Sequence, residues 1–124
     1  MTRPTLFILK PSFADPAAGP GSFFCPHSAT VEGLLSFHPE LRERLEVRYV
    51  EFARPRRDVI ALIGEANQAC PVLILPPGSG TTSKRTSETT SKTGRSANGR
   101  TFFVGASEIS EFLATWAGIG SPHP

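Results

Sequence analysis

Phe23-Phe24-Cys25-Pro26-His27-Ser28-Ala29-Thr30-Val31-Glu32-Gly33-Leu34-Leu35 is the stretch on which the reading of this chain turns. From Pro26 onward, Ala29, Val31, Leu34 and Leu35 recur at helical spacing, and Pro39 interrupts that helix. Pro26 suits the first helical position, where a missing N–H leaves nothing unsatisfied and the fixed φ matches the helix. Cys25 then falls at the helix start, with the N–H groups of the first turn pointing toward its sulfur. Those donors and the helix dipole favour a thiolate, the dipole alone by ~0.3–1 kcal/mol, and a protonated His27 nearby adds to this. The plain alternative is a cysteine that only packs.

Working outward, Thr5 to Lys10 is a short β-type apolar run closed by Pro11. A short amphipathic turn, Pro39 to Leu45, leads into a strand from Val47 to Phe52. Arg56 to Ile63 repeats apolar residues at Val59, Ile60, Leu62 and Ile63, with Gly64 as a helix stop. Pro71-Val72-Leu73-Ile74-Leu75 reads as a fully buried strand. Asn98-Gly99 signals a tight turn before a strand from Thr101 to Val104. Ser107 then caps a last helix carrying Ile109, Phe112, Leu113 and Trp116. The order is βαβα followed by ββα. A βαβ unit requires a parallel strand pair, and the last two strands should be antiparallel. The fold class expected is α/β, a four-stranded mixed sheet with helices on both faces, in the thioredoxin-like arrangement.

The 124 residues suit one domain. Residues 76–100 stand apart: Ser, Thr and Gly dominate, no aliphatic residue exceeds Ala97, and five basic residues meet a single acid, Glu88. The segment carries +4 against +2 for the chain, so the other 99 residues sum to −2. It cannot bury enough apolar surface to offset its ordering entropy, and is read as a flexible basic insertion between the third and fourth strands. With no aromatic residue to stack on bases, it does not argue for a nucleic-acid partner. No apolar run approaches the roughly 20 residues that span a bilayer. Leu6 to Leu9 is too short for a signal-peptide core, so the expected location is cytoplasmic. Two cysteines do not make a disulfide scaffold.

Cys25-Pro26-His27-Ser28 resembles the Cys-Pro-X-Cys or Cys-Pro-X-Ser box of glutaredoxins, and the Cys-Pro-His-Cys box of a periplasmic disulfide oxidase with serine for the second cysteine. Ala69-Cys70-Pro71-Val72 matches the place where thioredoxin-like proteins open their third strand with a cis-proline. Ile109, Phe112 and Leu113 fit the last helix of glutaredoxin and glutathione-transferase N-terminal domains. Phe23 to His27, Glu32 to Leu35 and Pro71-Val72-Leu73 are similar to a bacterial thioredoxin-like family of unknown function. The resemblance implies that Cys25 is the attacking thiolate within the box of Pro26, His27 and Ser28. It implies a cis Pro71 beside it, with the Cys70 backbone free to pair with an extended thiol substrate. It places Lys10 near the thiolate and a ligand carboxylate.

Two departures bear on activity. Ser28 replaces the resolving cysteine, which excludes dithiol cycling inside the box; its hydroxyl can only donate to the thiolate. Gly105-Ala106 stands where glutathione-transferase domains carry Glu-Ser for the γ-glutamyl group. Cys70 is a small buried residue or a long-range partner for Cys25. No zinc pattern is completed by Cys25, His27, His38, His123 and Cys70, so no metal and no resident cofactor are expected, with glutathione as a candidate co-substrate. The partners expected are a small thiol or a protein disulfide, without a membrane. Three functions remain open: thiol–disulfide exchange or deglutathionylation through Cys25, a glutathione- or ligand-binding domain, and a non-catalytic module.

Overall fold

The computed structural model describes residues 3–78 and 94–124. At its centre is β1 (Thr5–Leu9), buried from Leu6 to Leu9 with no polar side chain among those four. A strand buried on both faces needs such a run, and its side chains divide by parity. Leu6 and Ile8 join Val31 and Leu35 of α1 (Pro26–Phe37) on one face. Phe7 and Leu9 join Val59 and Ile63 of α3 (Arg57–Ile63) on the other. The two cores are therefore separated by the sheet itself.

Around β1 the sheet is mixed. β4 (Glu46–Val50) pairs with β1 in parallel, Thr5 opposite Glu46 through Leu9 opposite Val50. The crossover between them runs through α1 and the single turn α2 (Leu41–Arg44). On the other side β5 (Val72–Ile74) runs antiparallel to β1, and β7 (Arg100–Val104) antiparallel to β5. α4 (Gly105–Ala117) returns against α1, sending Ile109, Phe112 and Leu113 into the first core. The α/β class, the parallel pair and helices on both faces agree with the sequence reading.

The strand count does not. The sheet has five strands in the order β4-β1-β5-β7-β6, not four. The fifth, β6 (Arg95–Ala97), lies inside the segment 76–100 read as an insertion. Its side chains are poor in apolar surface, but an edge strand is held by backbone pairing and does not need them. Asn98 and Gly99 have φ of 53° and 70°, the positive pair that a two-residue hairpin turn requires, and Ala97 lies opposite Arg100. The insertion's middle, residues 79–93, lies outside the described residues.

Two further differences are local. Pro11 to Phe24, where the sequence marks no strand, contains the hairpin of β2 (Phe13–Ala14) and β3 (Ser22–Phe23), which seats Phe13 flat on Phe52 at 4.4 Å. The last helix begins at Gly105, two residues before the expected Ser107 cap. Glu108 does the capping, its carboxylate accepting from Val104 N–H at 2.9 Å and from Arg95 of β6. No helix among the described residues is long and apolar enough to cross a membrane.

Candidate functional site

Cys25 is the N-cap of α1, with Pro26 in the first turn. The residue has extended backbone (φ −85°, ψ 117°), and its Sγ accepts the N–H of Ser28 at 3.4 Å. The sulfur thus takes the place that a Ser or Asp oxygen usually fills at a helix start. The expected placement of Cys25 and Pro26 is what the structure has.

Ser28 points elsewhere. Its Oγ accepts the backbone N–H of Leu9 at 3.1 Å, and only 3% of the residue is exposed. It is the Ser28 backbone that reaches the sulfur, while the side chain fastens α1 to the end of β1. The serine of the box is a structural acceptor for a buried donor, a role that a thiol sulfur, a weak acceptor, fills poorly.

Cys25 and Ser28 lie on a cleft of about 570 Å3 between α1 and the ends of β1 and β4. Ile8, Leu9, Pro11 and Ala29 make its aliphatic walls, and Phe24 and Tyr49 add two aromatic rings. Lys10 also lines this cleft, and its Nζ is paired with Glu51 at 2.6 Å. Glu32 borders the cleft too; it accepts from the Tyr49 hydroxyl at 2.8 Å and from Arg42 at 2.6 Å. His27 and Pro26 are exposed and do not line it.

Cys70 and Pro71 form a second layer. The Cys70–Pro71 peptide is cis, in line with the expectation, and so is Arg54–Pro55. Cys25 and Cys70 pack against the same core, on the α3 side, and both thiols are free. Burial pushes the Cys70 thiol up to about 11, against the pull of the neighbouring Arg56 charge. Arg56 is itself only 7% exposed. Its guanidinium donates to Phe52 O at 2.6 and 3.0 Å and to Gln68 O at 2.8 Å, and its backbone N–H to Gln68 Oε1. Burial lowers its pKa from the ordinary arginine value, but an arginine keeps its proton in proteins. A fixed, buried cation therefore neighbours the Cys70 thiol.

The sequence alone does not mark Arg56 as buried, nor Glu32, Tyr49 and Pro11 as cleft residues. Glu32 and Tyr49 are seventeen positions apart, and no periodicity signals a contact between a helix and the strand that follows it. The exposed aromatic beside the cysteine, Phe24, was the one available signal.

Among the described residues no group of three His, Cys, Asp or Glu side chains is placed to hold a metal ion. No curated protein and no solved structure matches the chain. Residues 3–121 match a family described as "Protein of unknown function (DUF3088)". A helix-start cysteine on a largely apolar cleft is thus what this chain presents as a member of the DUF3088 family, to which it belongs.

Proposed function

We propose that the protein is a monothiol thiol–disulfide exchange protein of thioredoxin-like type, with Cys25 Sγ as its nucleophile. The observation that carries this reading is the sulfur's position, bonded to Ser28 N–H at the start of α1 and bordering the 570 Å3 cleft. The thioredoxin-like assignment is supported by the parallel β1–β4 pair, the antiparallel β5–β7 pair and helices on both faces of the sheet.

In the first step the Cys25 thiolate attacks one sulfur of a disulfide. The new bond joins Cys25 to that sulfur, the old S–S bond breaks, and the other half leaves as a thiolate that takes a proton from solvent. An external small thiol such as glutathione then attacks the mixed disulfide and releases Cys25. Neither neighbour suits that second step. Ser28 has no thiol, and Cys70, at about 11, is almost wholly protonated near neutral pH. Where the adduct contains glutathione, the same second step is deglutathionylation.

The test is intact-mass spectrometry after incubation with bis(2-hydroxyethyl) disulfide. The expected result is a single adduct on Cys25, absent in Cys25→Ser and removed by reduced glutathione. A chain that forms no adduct, yet binds thiol ligands equally well as Cys25→Ser, is a binding module and not an exchange protein.

A further inference from the structure

We infer that the cleft beside Cys25 selects disulfides carrying an uncharged aromatic arm over the anionic glutathione disulfide. This rests on the thiol-exchange reading above and names the substrate class of that site.

The cleft carries the argument more than the cysteine does. Among the described residues three large apolar side chains are well exposed: Phe24 at 61%, Phe37 at 82% and Tyr49 at 42%. Two of the three, Phe24 and Tyr49, border this one cleft. Single exposed apolar residues need no explanation, but a cluster around one concavity marks a surface that another apolar body covers. The volume of about 570 Å3 falls in the range of roughly 300–1,000 Å3 typical of small-molecule sites.

Charge works in the same direction. The two charged groups on the cleft are each already matched within the chain, Lys10 by Glu51 and Glu32 by Arg42 and the Tyr49 hydroxyl. Glu32 is itself an anion and the Lys10 charge is shared with Glu51, so a substrate carboxylate meets no unshared cation on the cleft. Glutathione disulfide brings several carboxylates, and any that enters the cleft must compete with Glu51 for Lys10, face Glu32, or lose water without compensation. An uncharged ring has no such cost and meets Phe24 and Tyr49, which favour ring contacts.

The experiment measures second-order rates of Cys25 thiolation by 2-hydroxyethyl benzyl disulfide, bis(2-hydroxyethyl) disulfide and glutathione disulfide. Each is divided by the rate with N-acetylcysteine, which removes the intrinsic reactivity of the reagent. The expected normalised preference for the benzyl reagent over glutathione disulfide is about tenfold, the size of one or two aromatic contacts. In Phe24→Ala the benzyl preference over bis(2-hydroxyethyl) disulfide, which isolates the ring contact, falls toward one, and in Phe37→Ala, whose ring lies away from the cleft, it stays. Equal normalised rates for the two reagents overturn the inference and leave the exchange reading intact. So does a benzyl preference over bis(2-hydroxyethyl) disulfide that survives Phe24→Ala, with circular dichroism checking that the variant is folded. A Cys25 that reacts with none of the three removes the exchange reading and the inference together.

Discussion

Ser28 Oγ accepts the backbone N–H of Leu9, and so joins the first helix to the central strand across nineteen residues of chain. The same residue's N–H goes to Cys25 Sγ. One residue thus fixes both where the helix starts and where the sulfur sits relative to the sheet. Ser28→Ala leaves the Leu9 N–H buried without a partner. The expected loss is about 1–3 kcal/mol of unfolding free energy, read from urea denaturation. A variant as stable as the parent would show that water or a backbone shift replaces the bond.

The two cysteines should separate by pH. Cys70 is at about 11 because it is buried, so iodoacetamide at about pH 8 is expected to label Cys25 and spare Cys70 in the folded protein. Peptide mapping reads this directly. Folding raises the Cys70 value from 9.0, so its contribution to stability is complete below that pH and is lost as pH rises toward the folded value. Cys70→Ala should therefore flatten the alkaline decline in stability. Equal labelling of both thiols in the native state contradicts the burial argument.

Glu108 gives the opposite sign. Burial works to raise its carboxyl, but the hydrogen bonds from Arg95 and from Val104 N–H outweigh it and hold the group below its ordinary value of 4.5. Stability from this group is present above that value and lost as pH falls through the folded one. Glu108→Gln keeps an oxygen for Val104 N–H but drops the charge facing Arg95. Its thermal midpoint is expected to depend less on pH across the acid limb than that of the parent. An unchanged acid limb would show that the half-exposed Arg95 pair is screened to nothing.

Glycine substitutions should split by environment. At Gly94, φ is +81° and an added Cβ would lie 2.7 Å from Thr101 Cγ2 and 2.9 Å from Phe103 Cζ. Gly94→Ala is expected to cost about 1–3 kcal/mol by straining the entry to β6. Gly33, within α1, has nothing within 4 Å of its Cβ position. Gly33→Ala should stabilise by about 0.5–1 kcal/mol. Chemical denaturation of the two variants checks the pair, and the same sign for both would contradict the placement of β6.

Some of this protein is written locally in its chain. Pro26 beside Cys25 marks the helix start, because a proline's fixed φ and missing N–H suit only the first turn. The unbroken run Leu6 to Leu9 marks a strand covered on both faces, and Asn98-Gly99 marks a hairpin turn by its tolerance of positive φ. These are properties of a few adjacent residues, and periodicity exposes them. Composition misled at Arg95 to Ala97, where backbone pairing rather than side-chain burial holds the strand. The tertiary structure alone decided the rest of the site. That the Ser28 hydroxyl serves Leu9 and not the sulfur, that Arg56 is buried near Cys70, and that Glu32 and Tyr49 border the cleft are all matters of contact between distant positions. Their energies depend on geometry set by the packed sheet and helices, and no local pattern of residues encodes it.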